Sequence, residues 1–417
     1  MPAIEYVSYA DATGYGQAAT GYVRLLHEAG FDVHWTPYLN DAIWAGRVGP
    51  AHARAELARG RAALLARAPS AGGNQLQALV EATSRPVQAG LRIVHLLPRF
   101  WAAHMPAVPV VRTVGMTVWE TDRVSTEWLP ALGLADHLIV PCVHNSRVLD
   151  DARAGGASVP GVSVVPHVCR PALQPLPPAR LAGLAKWLQI GPEDVVFYTI
   201  NAWDPRKRLA ALIEGYARQF AAEEKVVLVV KTNRRTWFDD PSSPLGDRDV
   251  ARTVKSILER VEADTGRPSA RVSLLADDEV SDSVIDSLHV LGHCFVSFSR
   301  CEGFGLGCFD AATQGRPVIA VGYGGPLDYL GQDWPGKVPH RMVACTPPQG
   351  FGWFDAGQAW PEPDDAVACL KMRMFLEDRA PFVAASIEGG AGIVKRFGDD
   401  PIRAQLVAAL EAAAIQS

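Results

Sequence analysis

The stretch His293–Val321, HCFVSFSRCEGFGLGCFDAATQGRPVIAV, constrains the fold more than any other part of the chain. A short apolar run of strand character leads into a glycine-rich turn, a helix follows, and Gly315 and Pro317 hand over to a second apolar strand. Strand–helix alternation of this kind runs through the whole sequence and implies parallel sheets. In the first half the expected strands are Ile4–Tyr9, Val33–Thr36, Ile93–Leu97, Val110–Val114, Leu138–Pro141 and Val162–Pro166. In the second half they are Val195–Ile200, Val226–Lys231, Val272–Leu275, Cys294–Ser297 and Val318–Val321. The proline-rich piece Pro171–Leu184 reads as a linker. The expected fold class is therefore α/β, with two doubly wound Rossmann-like domains, 1–170 and 185–400, separated by a linker over 171–184 and followed by a terminal helix in 401–417. Two such domains face each other across a cleft in this expectation, because ligands sit at the carboxyl ends of the strands.

The turn of that stretch has its own chemistry. Gly303, Gly305 and Gly307 let the backbone approach a ligand without side-chain clash. A helix over Leu306–Gln314 then points its free N–H groups and positive dipole end at that ligand. Glu302 precedes the helix and Asp310 lies on it, about 12 Å further along at a rise of 1.5 Å per residue. Carboxylates accept hydrogen bonds from paired hydroxyls. Two hydroxylated ends with a phosphate between them describe a nucleotide sugar. The plain alternative is a strand–loop–helix unit with a surface acid.

The segment resembles the signature of the retaining GT-B glycosyltransferases of the E-x7-E clan, the glycogen-synthase and mannosyltransferase-like enzymes. Glu302, Gly303, Phe304, Gly305, Leu306, Ala311, Gly315, Pro317 and Val318 match it, and Asp310 stands where the clan usually has glutamate. The resemblance implies a GT-B fold, a terminal helix that crosses back to the first domain, and contacts from Glu302 to the donor sugar and from Asp310 to the ribose. It further implies that Gly303, Phe304, Gly305 and Leu306 line the donor site.

Three other segments carry candidates. Thr13-Gly14-Tyr15-Gly16 follows the first strand and precedes a helix, and the resemblance implies that Gly16 lies against the donor diphosphate. It is not a dinucleotide fingerprint, since the third glycine is not in place. Asn201–Arg208, NAWDPRKR, and Val226–Arg235, VVLVVKTNRR, put cations at strand ends. Fixed cations aimed at a departing diphosphate lower the barrier to its release. Lys207 matches the clan's lysine, Arg206 lies beside it, and Asn201 takes the place of the clan's leading arginine. Lys231 supplies a charge from the next strand. A solvated charge run is the alternative for 206–208, although cations at a helix start oppose the dipole. Glu120, in Thr117–Asp122, either faces the cleft as a sugar-binding group or base, or pairs with Arg123.

A chain of 417 residues suits two domains. The net charge of −5 provides no field for nucleic acid or anionic lipid. No apolar run reaches a membrane span and no export signal begins the chain, so seven scattered cysteines read as reduced thiols of a cytoplasmic protein. Membrane contact is left open, with nothing to indicate it. Cys294, Cys301 and Cys308, and Asp286 with His289 and His293, are weak metal candidates, and no metal is expected. His104 stands near Arg99 and Trp101 as either an acceptor-pocket or an ordinary loop histidine. Trp353, Trp360 and Pro361–Asp364 read as packing. The expectation is a retaining, metal-independent glycosyltransferase. Its cofactors are none beyond a nucleoside diphosphate sugar as co-substrate, and its acceptor is a hydroxyl of a glycan, lipid-linked, protein or small-molecule partner. Two rivals are a nucleotide-sugar epimerase of the same fold and a non-catalytic partner subunit.

Overall fold

A computed structural model of the chain describes residues 3–48, 50–67, 73–105, 111–170, 172–236, 248–278, 280–346 and 354–415. The chain divides into two compact units, Met1–Ala172 with Lys395–Ser417, and Leu173–Val394. The boundary at residue 395 falls inside a helix, Ala380–Phe397.

Among the described residues the first unit holds six parallel strands: β1 (Ile4–Tyr9), β2 (Val33–Tyr38), β3 (Leu91–His95), β4 (Arg112–Met116), β5 (His137–Val140) and β6 (Gly161–Val164), in the order β2-β1-β3-β4-β5-β6. The fourth strand starts later than Val110, which lies outside the described residues. Tyr6 on β1 pairs with Trp35 on one side and Ile93 on the other. All four residues of β5 are buried, because helices cover both faces of a parallel sheet. The last helix, Asp399–Ile415, belongs to this unit. Arg24 grips Asp399 with both guanidinium nitrogens at 2.8 and 2.5 Å. Arg403 reaches Glu28 at 3.0 Å, and the Cys169 N–H donates to the Phe397 carbonyl at 2.7 Å.

The second unit holds β7 (Val195–Ile200), β8 (Val226–Thr232), β9 (Arg271–Ala276), β10 (Cys294–Val296), β11 (Val318–Val321) and β12 (Lys337–Val338), in the order β12-β11-β10-β7-β8-β9. A separate antiparallel pair, β13 (His340–Ala344) with β14 (Ala359–Pro363), was not legible in the alternation of the sequence. Phe197 and Leu228 pack with Leu212, Ile213 and Tyr216 of the helix Leu209–Gln219 and with Phe375 of the helix Asp365–Glu377. Full burial stabilises each such side chain by roughly 1.5–3 kcal/mol. The segment expected as a linker is fastened to this unit. Gln174 N–H donates to Asp286 at 2.7 Å and Leu176 N–H to the Ser287 hydroxyl at 2.9 Å. A helix, Pro178–Trp187, follows.

Each sheet reverses its strand order once, between β1 and β3 in the first and between β7 and β10 in the second. Loops at the carboxyl ends of strands flanking such a reversal form the ligand crevice of a doubly wound sheet. Gly16 lies after β1, Arg206 and Lys207 after β7, and Glu302 after β10. Among the described residues no helix is long and apolar enough to cross a membrane.

Gly16 shows how tightly one of these turns is drawn. A Cβ there would stand 2.0 Å from the Asp11 carbonyl oxygen. Gly16→Ala should therefore destabilise the first unit by about 1–3 kcal/mol, the usual cost of overpacking. Urea unfolding midpoints of the two proteins check this.

Candidate functional site

At the reversal of the second sheet, local hydrogen bonds shape the loop after β7. The Asp204 carboxylate accepts from the Arg206 N–H at 2.7 Å, and the Asp204 carbonyl accepts from the Lys207 N–H at 2.8 Å. Arg208 follows with a left-handed backbone, φ 52°, just before the helix Leu209–Gln219. Asn233 holds the loop from the side of β8, accepting from the Trp203 N–H at 2.8 Å. The loop after β10 lies against it. Arg300 N–H donates to the Arg206 carbonyl at 2.9 Å, and Arg206 Nη1 donates to the Cys301 carbonyl at 2.5 Å.

These contacts bring Lys207 onto Glu302. Its ammonium lies 2.6 and 2.5 Å from the two carboxylate oxygens, and Arg206 Nη1 is 3.6 Å from one of them. The two side chains are only 14% and 11% exposed. Burial pushes the Glu302 carboxyl up, but the charges of Lys207 and Arg206 outweigh it and hold the group below its ordinary range. Glu302 is therefore a carboxylate at neutral pH.

The turn after Glu302 needs its glycines. Gly305 adopts φ 83°, in the left-handed region, directly before the helix Leu306–Thr313. The Glu302 carbonyl accepts from the Gly325 N–H at 3.1 Å, while the Tyr329 hydroxyl reaches the Phe304 and Gly305 carbonyls at 3.1 and 3.2 Å. Phe304 itself is buried, its ring 4.9 Å from Phe309 and 5.4 Å from Tyr329. Gly303 is buried as well. The N-cap residue is Gly305, which has no side chain to cap the helix, and the first N–H groups of a helix lack partners within it. Asp310 sits buried further along the same helix.

Lys231 is half-buried near the end of β8, in register with Ile200 of β7. Burial pushes its ammonium below the usual lysine range, with Asp278 and Asp277 opposing the shift. Glu302, Lys207, Arg206, Lys231 and the turn Gly303–Leu306 thus all belong to the carboxyl edge of one sheet, and Asp310 lies on the helix that leads away from that turn.

The remaining candidates lie on the first unit. The Gly16 N–H donates to the Thr13 hydroxyl at 3.3 Å, which caps the helix Gly14–Glu28. This gives the glycine a local reason to be there that phosphate contact does not require. Glu120 is half-buried in a loop held from several sides. Tyr15 Oη lies 2.9 Å from the Thr117 hydroxyl and accepts from the Val118 N–H at 3.3 Å. Asn145 binds both backbone groups of Trp119, at 3.1 and 2.5 Å, and His144 Nε2 lies 3.0 Å from the Thr121 carbonyl. Arg123 pairs with Asp122 at 3.5 Å. Tyr15 reaches this loop from 103 positions away, and His144 and Asn145 from 23 and 26, so no short stretch of sequence displays these anchors.

The lesser candidates are spoken for. His289 bonds to the Tyr198 hydroxyl at 3.0 Å, His293 accepts from the Val196 N–H at 2.9 Å, and Asp286 accepts from Gln174. Among the described residues no group of three or more His, Cys, Asp or Glu side chains is arranged to hold a metal ion. His104 is buried with its ring 5.7 Å from Tyr38, and burial pushes its pKa down to about 4. Trp353 lies outside the described residues.

No protein-family model matches the chain, and no curated protein matches it. Solved structures do. The Anabaena protein Alr3699/HepE, in complex with UDP-glucose, aligns over 99% of this chain and 100% of its own, with 14% identity and a TM-score of 0.61. The sucrose-phosphate synthase of Thermosynechococcus elongatus covers 100% of both chains at 13% identity and a TM-score of 0.62. The trehalose-6-phosphate synthase OtsA covers 99% of both at 13% identity and a TM-score of 0.59. At such identities the likeness establishes the fold, and the chain has the GT-B fold of two doubly wound Rossmann-like domains.

The Glu302 pair has a pH signature. A carboxyl held below its ordinary 4.5 stabilises the fold above that value, and the contribution is lost as pH falls through the lower folded-state value. Melting temperatures taken between about pH 6 and pH 3 should fall more steeply for the wild type than for Glu302→Gln. Parallel curves would mean that the pair adds nothing to stability.

Proposed function

We propose that this protein is a retaining glycosyltransferase that moves a sugar from a nucleoside diphosphate donor to a hydroxyl acceptor, without a metal ion. The single observation behind this reading is the buried Lys207–Glu302 pair, flanked by Arg206 and set before an uncapped helix end. Transfer breaks the bond between the anomeric carbon and a phosphate oxygen, and negative charge grows on the diphosphate. Lys207, Arg206 and Lys231 supply fixed positive charge, and the free N–H groups at the start of the helix Leu306–Thr313 add donors. A preorganised donor of this kind is worth about 10²–10³-fold in rate. Glu302, ionised and buried, accepts hydrogen bonds from the sugar hydroxyls, and Asp310 from the ribose. The acceptor hydroxyl attacks from the face the diphosphate leaves and passes its proton to the departing oxygen. This keeps the anomeric configuration without a covalent nucleophile. Gly16, in the first turn of the helix after β1, is assigned to the diphosphate, and Glu120, on the loop after β4, to the acceptor.

Uridine is the base to test first. HepE is seen with UDP and with UDP-glucose, and an E. coli trehalose-6-phosphate structure with UDP-2-fluoro glucose.

Titration calorimetry with UDP should show binding, and UDP-glucose or another UDP-sugar should slowly release UDP. Glu302→Ala should cut that release by at least ~10²-fold. A chelator should leave the rate unchanged, and the product anomer seen by NMR should match that of the donor. Absence of binding by any nucleoside diphosphate would overturn the reading. Binding with epimerisation of the donor would move the protein to a different reaction.

A further inference from the structure

The Trp360–Asp364 segment, legible in the sequence only as packing, holds a carboxylate that joins the two catalytic loops. Glu362 lies on β14, and each of its oxygens meets a different arginine. Oε1 is 3.0 Å from Arg208 Nη2, and Oε2 is 2.7 Å from Arg300 Nε. Arg208 directly follows Lys207, and Arg300 stands two residues before Glu302. One carboxylate therefore bolts the segment carrying the cation to the segment carrying the acid.

The rest of the bolt is equally specific. Arg208 also grips Asp365 through both terminal nitrogens, at 2.6 and 2.7 Å. Arg300 sends Nη1 to the Pro205 carbonyl at 2.9 Å, its backbone N–H to the Arg206 carbonyl at 2.9 Å, and its guanidinium lies 4.9 Å from the Trp360 ring centre. Bidentate arginine–carboxylate pairs fix direction as well as distance. Arg208, Glu362 and Arg300 are each at most 20% exposed, so solvent does little to loosen them.

We propose that Glu362 is a positioning residue: by bridging Arg208 and Arg300 it sets the placement of Lys207 against Glu302, and so governs the rate of glycosyl transfer rather than the affinity for donor. The proposal deepens the glycosyltransferase reading and rests on it for its kinetic consequence. Glu362 itself touches neither Lys207 nor Glu302. Its influence passes through the loop backbones at 205–208 and 300–302.

The test is Glu362→Gln, which keeps the shape and removes the charge. In UDP-glucose turnover its kcat should fall by about 10-fold or more, toward the ~10²-fold scale of a 1 Å misplacement, with KM within about 3-fold of wild type. In a Lys207→Ala background the same substitution should cost nothing further, because the residue it positions is gone. An unchanged kcat, or a loss that persists in the Lys207→Ala background, overturns the proposal. Should Glu362→Gln fold poorly, Arg208→Lys keeps the charge, loses the two-pronged contact and must give the same kcat-against-KM split. A crystal structure of Glu362→Gln separates this proposal from the broader reading. If the wild type proves inert toward every nucleotide sugar but Lys207 leaves Glu302 in the variant, the functional reading falls and the clamp stands. If Lys207 stays in place, the clamp falls whatever the protein does.

Discussion

Lys207 and Glu302 are two charges taken out of water together. Removing Glu302 would leave Lys207 largely out of water without its carboxylate, a situation that costs up to about 3–5 kcal/mol in well-studied buried pairs, whereas removing Lys207 would leave Glu302 with Arg206 at 3.6 Å. Replacing such a pair by apolar groups is often neutral or better, so stability alone does not account for its presence. Its surroundings do. Arg206 adds a second cation at 3.6 Å, and a helix offers its uncapped N-terminus just beyond the acid. Two cations and a helix N-terminus thus surround one ionised carboxylate. Charges held fixed in this way are what electrostatic stabilisation in the proposed reaction requires.

The pair exists because of sheet topology. Lys207 and Glu302 are 95 positions apart in the chain and meet only because β7 and β10 are neighbours. The strand order reverses between them, and in doubly wound sheets the carboxyl ends of strands at such a reversal are where ligands bind. Local chemistry then sets the details. The Asp204 turn aims Arg206 and Lys207, the left-handed Gly305 starts the helix at the right angle, and Tyr329 ties down the turn carbonyls. In the first unit the loop around Glu120, which follows β4, is held by Tyr15, His144 and Asn145.

Much of this was legible in one dimension. Parallel strands declare themselves as apolar runs separated by helical periods, and both sheets, nearly every central strand and the helix at Leu306 are where those runs place them. The turn Glu302–Gly305 was legible because glycine at a left-handed position has few substitutes. The antiparallel pair β13–β14 was not, since proline and exposed polar residues hide its alternation. Nor was the burden carried by Glu362: a WPEPD segment looks like packing, and only three dimensions show two arginines converging on its acid. The proline-rich stretch near residue 175 reads as a linker from its composition, and its hydrogen bonds to Asp286 and Ser287 become visible only in the folded chain.

Hydrophobic period, glycine and proline placement, and the nearness of basic residues to strand ends are properties of short stretches, and short stretches are what a single sequence displays. From them came the fold class, the turn and the list of charged candidates. Which charge meets which is a different kind of fact. It depends on strand neighbours set by the order of a whole sheet, and on side chains that reach across roughly a hundred positions of chain. Only the folded molecule decided that Lys207 closes on Glu302 and that Glu362 stands behind both loops, because Coulomb and hydrogen-bond energies act through distances of a few ångströms that the linear order of residues does not encode.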